Sequence, residues 1–69
     1  MDRAKIGKKL VALRAEKRRE EVAAALGISY SSLVAYETGL RAPRDEQKIR
    51  IAKYFGSTVA DIFFSDDGN

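Results

Sequence analysis

The chain has 69 residues, of which 45% are hydrophobic and 33% are charged, and it contains neither cysteine nor histidine. A chain of this length buries only about 60% of the surface that its unfolded form exposes, which excludes a second core and predicts a single domain. Without cysteine, disulfides and thiolate metal sites are excluded, and hydrophobic packing must stabilise the fold. No apolar run approaches the ~20 residues of a membrane helix, and the composition fits a soluble protein of the cytoplasm.

The net charge of +3 is unevenly distributed along the chain. Residues 1–19 carry eight basic side chains and two acidic ones, whereas residues 61–69 carry three acidic side chains and no basic one. A basic body followed by an acidic tail suggests that one face meets a polyanionic partner. Charge runs of this kind also occur on solvated helix faces, so both interpretations stay open.

Two helices are predicted in the first third of the chain. Apolar spacing of i, i+4, i+7 predicts a helix over about residues 3–17, in which Gly7 is tolerated. Its predicted inward residues are Ile6, Leu10 and Leu13. Residues 20–26 are rich in strong helix formers, with acids in the first turn, and Gly27 suits a left-handed C-terminal cap. The second helix is therefore expected to be short and to end sharply.

A third helix is predicted directly after this turn. Ser29 is a good N-cap, and the helix is expected to extend to Thr38 before Gly39 closes it. Leu33 and Tyr36 are three residues apart and therefore lie on one face. This face is expected to pack on the core.

Residues 38–44 hold a glycine and the only proline, which is the composition of a loop, and two further helices follow. Asp45 can cap a fourth helix that runs to about Phe55. Its firmest inward positions are Ile51, Ala52 and Phe55, with Ile49 and the stem of Lys48 on the flanks. Gly56 ends it, and Thr58 with Asp61 forms a capping box that opens a short fifth helix.

The order of these elements predicts an all-α fold, because no strand pattern, repeat or low-complexity stretch occurs. We expect a compact five-helix bundle. Residues 1–64 are expected to form its single domain, and residues 65–69 an acidic, frayed tail.

The second and third helices match the requirements of a helix-turn-helix, in which two helices cross closely so that the second can enter a major groove. A small residue is needed at the crossing, a glycine at the turn, and apolar residues that seat the second helix on the core. Seven positions match in order: Val22, Ala23, Leu26, Gly27, Ile28, Leu33 and Tyr36. A helical bundle that does not bind DNA can produce part of this pattern, and it stays an alternative.

The outer face of the third helix carries no acid. With Leu33 and Tyr36 inward, the helical period places five residues opposite: Tyr30, Ser31, Val34, Ala35 and Thr38. An exposed Val34 beside an exposed Ala35 suits contact with thymine methyl groups, and Tyr30 and Ser31 can hydrogen-bond base edges or phosphate. Packing of Val34 and Ala35 against another protein surface is the alternative.

These segments resemble the helix-turn-helix domains of the phage repressor and Cro type, also called the XRE family, over about residues 6–64. The resemblance rests on IGKKLVALR, EEVAAALGIS, YSSLVAYETG, RAP, IAKYFG and TVADIFF. It implies a compact five-helix, lambda-repressor-like fold. Members of the family commonly bind operators as dimers, and many repress the promoters of mobile elements or their own genes.

The resemblance also implies roles for individual residues. Base-reading positions are occupied by Tyr30, Ser31, Val34 and Ala35. Positions that contact phosphate are occupied by Arg19, Thr38, Arg41 and Arg44. Arg14 and Glu37 match a partly buried ion pair that joins the first and third helices. The chain departs from the family in a shorter link between the first two helices, and in Arg18 and Arg19, which replace a capping Ser or Thr and a phosphate-contacting Gln.

The sequence therefore predicts a sequence-specific DNA-binding regulator, a repressor with its third helix, about residues 30–38, in the major groove of double-stranded DNA. Without histidine, cysteine, a Gly-rich phosphate loop or paired acids, we expect no catalytic activity, cofactor or metal site. An antitoxin-like module that binds a partner protein, and also DNA, is the alternative function. The fold does not separate the two, whereas the neighbouring genes would.

The last predicted helix has more large apolar side chains than a short helix can bury. Val59, Ile62 and Phe63 share one face, and Phe64 lies about 100° from Phe63. We expect a homodimer interface formed by Ile62, Phe63 and Phe64. A two-fold dimer would set two recognition helices ~34 Å apart on a palindromic operator. In the alternative, Phe64 folds back over the first helix.

Overall fold

A computed structural model describes residues 2–65, which form five helices and no strand. The helices are α1 (Arg3–Arg14), α2 (Arg19–Leu26), α3 (Tyr30–Glu37), α4 (Asp45–Tyr54) and α5 (Ala60–Phe64), the last a single π-helical turn. The predicted all-α, five-helix architecture is confirmed. Most of the predicted acidic tail, residues 66–69, lies outside the described residues.

Helix α1 begins at a side-chain cap and ends earlier than its apolar spacing predicts. The Asp2 carboxylate accepts the backbone N–H groups of Ala4 at 2.9 Å and Lys5 at 3.3 Å. The helix ends at Arg14, and Ala15 follows with a positive φ of 53°, which is rare for a residue other than glycine. Leu13 is 37% exposed, so its predicted inward position is wrong. The chain reverses directly after this last turn, which therefore lies at the margin of the core.

The turn between α2 and α3 follows the local signals of the sequence. Gly27 adopts the left-handed conformation, with φ 69°, and its N–H donates to the carbonyls at the end of α2. The Ser29 hydroxyl then accepts the backbone N–H of Ser32 at 3.0 Å and caps α3. Both predicted caps are confirmed. Helix α3 ends at Glu37, one residue before the predicted Thr38.

The ends of α4 and α5 are only partly those predicted. Arg44 occupies the N-cap position of α4, so the prediction that Asp45 caps this helix is wrong. Asp45 is its first helical residue, and its carboxylate lies 3.4 Å from Lys48 Nζ. Before α5, the Thr58 hydroxyl accepts the backbone N–H of Asp61 at 3.0 Å, which confirms one half of the predicted capping box.

The core is shared by all five helices, and α3 lies between α1 and α2. Helix α2 also packs on α4, and α5 packs on α1. The buried apolar cluster comprises Ile6, Leu10, Val22, Ala23, Leu26, Leu33, Tyr36, Ile51, Ala52, Ile62 and Phe63. Phe55 is only partly buried and Ile49 is half exposed, whereas Lys48 is buried. The packing of α3 between two helices fixes which of its faces reaches solvent.

Gly7 allows the closest approach between α1 and α3. A Cβ atom at this position would collide with the backbone carbonyl of Glu37, and it would lie 3.0 Å from the carbonyl oxygen of Tyr36. The prediction that the first helix merely tolerates Gly7 is therefore wrong. The absence of a side chain is what brings the C-terminal end of α3 against α1.

Candidate nucleic-acid interface

The first turn of α3 presents polar and aromatic side chains to solvent. Tyr30 is 48% exposed, Ser31 is exposed, and Val34 is partly buried. Ala35 is only 8% exposed, so the expected exposure of this residue is wrong. Its carbonyl accepts the backbone N–H groups of Leu40 at 3.0 Å and Arg41 at 3.2 Å, where the chain turns at the end of α3. Of the four predicted base-reading residues, Tyr30 and Ser31 are therefore exposed and Val34 is partly accessible.

Thr38 is exposed at the C-terminal end of α3, but its hydroxyl is already used. Its Oγ1 donates to the carbonyl of Val34 at 2.8 Å, four residues back along the helix. A hydroxyl has a single proton, so donation to a phosphate requires this bond to break first. The predicted phosphate contact of Thr38 therefore needs a rotation of the side chain.

Arg41 and Arg44 lie at the N-terminal end of α3, where they line one shallow depression with Ser29 and Ser32. The Nη2 of Arg41 donates to the hydroxyl of Ser32 at 2.9 Å. The guanidinium carbon of Arg41 lies 5.6 Å from the centre of the Tyr36 ring, within cation–π distance. These contacts bring two predicted phosphate-binding cations to the same edge of α3.

The Arg14 and Glu37 side chains form the predicted ion pair. Nε of Arg14 donates to Oε2 of Glu37 at 2.7 Å, and its Nη2 donates to Oε1 at 3.2 Å. The Glu37 side chain is 2% exposed and that of Arg14 is 13% exposed. The bidentate pair is thus buried between the last residues of α1 and α3.

Glu37 also binds a second arginine, which the sequence analysis missed. Nε of Arg19, the first residue of α2, donates to Glu37 Oε1 at 2.8 Å. Burial acts to raise the pKa of Glu37, but the hydrogen bonds from Arg14 and Arg19 outweigh it and lower the pKa below its usual value. No spacing rule signals this contact, because the three residues come from three different helices.

A helix-turn-helix family model matches residues 9–62, which is more than half of the chain. This segment contains all of the contacts described above between α2, α3 and the loop that follows α3. The chain belongs to the helix-turn-helix family. Its resemblance to the phage repressor and Cro type is thereby confirmed.

Two relatives are similar to this helix-turn-helix domain. It is 37% identical over 49 residues to an uncharacterised HTH-type transcriptional regulator of Methanocaldococcus jannaschii, which covers 71% of this chain and 74% of the relative. It is 32% identical over 51 residues to the transcriptional repressor RstR of the cryptic phage CTXphi, from Vibrio cholerae. That match covers 74% of this chain and 46%, less than half, of the repressor. No solved structure matches the chain.

The C-terminal helix of the helix-turn-helix domain divides its apolar residues between core and surface. Ile62 and Phe63 are each 2% exposed and belong to the core, so their predicted place in a dimer interface is wrong. Both are already covered by the rest of the monomer. Phe64 is 62% exposed, as its position on another side of the helix predicts, and Nζ of Lys48 in α4 lies 5.1 Å from its ring centre.

A metal site or a membrane-spanning helix would be a functional feature of a different kind from the surface of α3. Within residues 2–65, no group of three or more acidic, histidine or cysteine side chains is placed to hold a metal ion. In the same range, no helix combines the length and the apolar composition that crossing a membrane requires.

Proposed function

We propose that this helix-turn-helix protein is a sequence-specific transcriptional repressor that reads the major groove of double-stranded DNA with α3. The observation that carries the proposal is the exposed first turn of α3, with Tyr30 and Ser31. Arg41 and Arg44 line a depression with Ser29 and Ser32 at the same end of the helix. Side chains at the start of a recognition helix contact base edges, while flanking cations bind phosphate.

Base reading is assigned to Tyr30, Ser31 and Val34, which are accessible on α3. Ala35 matches a base-reading position by family resemblance, but its burial supports a packing role instead. Phosphate binding is assigned to Arg41, Arg44 and Arg19. Thr38 can join them once its hydroxyl leaves the carbonyl of Val34.

Repression is the regulatory effect that the relatives support, because one is named a transcriptional repressor and the other a transcriptional regulator.

We place the dimer contact of this repressor at Phe64, with a second copy of the chain as the partner. The Phe64 residue is 62% exposed, although it also lines a depression with Lys5, Ile6 and Lys9 of α1. Its exposed part is an apolar surface that a second copy of the chain can cover. A two-fold pair of α3 helices would then read a palindromic operator.

The experiment that tests this function is selection of bound sites from random duplex DNA, followed by a salt titration on the selected site. We expect enrichment of a palindromic sequence and an affinity that falls as salt concentration rises. Recovery of no preferred sequence, with binding equal on all duplexes, would contradict sequence-specific repression.

A further inference from the structure

The start of α2 is held differently from the starts of α1 and α3. Asp2 and Ser29 cap α1 and α3 with their side chains, whereas Arg18, at the N-cap of α2, makes no such hydrogen bond. The next residue, Arg19, is instead bound by Glu37 at 2.8 Å. A carboxylate at the end of α3 therefore fixes the first side chain of α2.

Arg19 keeps binding capacity in spite of this contact. Only its Nε donates to Glu37, so the two η nitrogens keep N–H donors for other acceptors. Its side chain is 40% exposed, whereas that of Glu37 is 2% exposed. The hydrogen bond to Glu37 is the largest of the effects that raise the pKa of Arg19, so the guanidinium stays charged where Glu37 holds it, at the C-terminal end of α3.

The carboxylate that holds Arg19 is itself immobilised. Arg14 binds Glu37 at 2.7 Å, and its Nη1 donates to the carbonyl of Lys17 at 2.9 Å, in the link that leads to α2. Glu37 is thus anchored to α1 on one side while it holds α2 on the other. Its position does not depend on that of Arg19.

We propose that Glu37 is a positioning residue for DNA binding, which holds Arg19 in the conformation that reaches a backbone phosphate beside α3. The proposal rests on the DNA-binding function given above. A guanidinium matches phosphate in a bidentate geometry, and a side chain that is ordered before binding loses less rotamer entropy when it binds.

The direction in which Glu37→Gln changes the affinity for DNA separates a positioning role from the effect of charge alone. Glu37→Gln removes a negative charge beside the DNA-binding surface, and by charge alone it would strengthen the binding of a polyanion. If Glu37 positions Arg19, the same change weakens binding about threefold to tenfold, which corresponds to ordering one long side chain. Glu20→Gln is the matched control, because it removes the same charge next to Arg19 from an exposed position. This control is expected to leave binding unchanged or to strengthen it.

The probe is a short duplex of mixed sequence, since phosphate binding requires no operator. Its affinity is measured over a range of salt concentrations, for variants that circular dichroism shows to be folded. Arg19→Gln is expected to lower the log–log salt slope by about one. In the Arg19→Gln background, Glu37→Gln is expected to cause no further weakening, because no arginine remains to be positioned.

If Glu37→Gln weakens DNA binding equally in the parent and in the Arg19→Gln variant, the proposal is overturned, and the role of Glu37 is structural only. Stronger binding by the single Glu37→Gln variant would overturn it as well. If Glu37→Gln does not fold, Arg19→Lys decides the question, because it keeps the charge but loses the planar fork, and unchanged affinity would overturn the proposal. A parent protein that binds no duplex even at low salt would instead refute the DNA-binding function itself.

Discussion

Arg14 and Glu37 join the last residue of α1 to the last residue of α3 through two hydrogen bonds, at 2.7 Å and 3.2 Å. Because Arg19 binds the same carboxylate, Glu37 has two arginine partners, whereas within residues 2–65 each of these arginines binds one carboxylate, that of Glu37. Removal of the carboxylate and removal of one arginine should therefore have unequal effects.

We expect Glu37→Ala to lower the free energy of unfolding by about 3 kcal/mol, because it leaves the largely buried Arg14 guanidinium uncompensated. Arg14→Ala should cost less, about 1–2 kcal/mol, because Glu37 keeps its bond to Arg19. Urea unfolding of both single variants and the double variant gives the coupling energy. A cycle without coupling would mean that the pair does not stabilise the fold.

Acid should weaken the contribution of Glu37 to stability. Its pKa is lowered in the folded state, since the bonds from Arg14 and Arg19 outweigh the effect of burial. The stabilisation is thus fully present above the unfolded pKa, about 4.3, and is lost as the pH falls through the lower folded pKa. In urea unfolding at a series of pH values, Glu37→Gln should show a shallower loss of stability in acid than the parent. If both proteins lose the same stability as the pH falls, this would argue against a lowered pKa of Glu37.

Gly7→Ala should destabilise the fold, although alanine is the better helix former. Propensity alone predicts a gain of about 0.5–1 kcal/mol in an exposed helix. The added methyl would instead collide with the backbone of Glu37, so we expect a loss of about 1–3 kcal/mol from overpacking. Thermal unfolding followed by circular dichroism shows whether Gly7→Ala raises or lowers the stability of the fold. A gain in stability would show that α1 and α3 do not approach this closely.

Phosphate binding and base reading should separate on mutation. Arg41→Ala and Arg44→Ala are each expected to weaken binding to all duplexes and to lower the log–log salt slope by about one. Tyr30→Ala and Val34→Ala should instead change which selected sites are preferred.

The control for the arginine variants is Lys53→Ala, which removes an exposed cation at the end of α4. It should alter the salt slope less than either arginine variant. The assignment of roles fails if the arginine variants shift site preference while the slope stays constant.

Phe64→Glu should give a folded monomer with much weaker operator binding, because it places a charge in the proposed dimer contact. Molecular mass in solution, measured by light scattering, and affinity for the selected site are the two readouts. Ile49→Glu is the matched control, since it changes another half-exposed apolar residue, on α4. If Phe64→Glu leaves both mass and affinity unchanged, any dimer is formed by a different surface.

Helix ends and the turn could be predicted from the sequence because their interactions are local. The Gly27 cap needs only its own backbone conformation, and Ser29 and Thr58 each cap through a residue three positions ahead. The inward positions Leu33 and Tyr36 followed from the helical period in the same way. The Arg14 to Glu37 pair was implied by family resemblance rather than by spacing.

The tertiary structure alone decided which surfaces are covered and which charges meet. Ala35 is buried although the helical period predicts that it lies on the outer face, and Gly7 is required by a backbone segment thirty positions away in sequence. Ile62 and Phe63 face the core, whereas Phe64 is the large apolar residue of α5 that is exposed. Arg19 reaches Glu37 only because α3 packs between α1 and α2. The contacts of Gly7 and Arg19 with Glu37 join residues distant in the chain, so local propensity and periodicity carry no information about them.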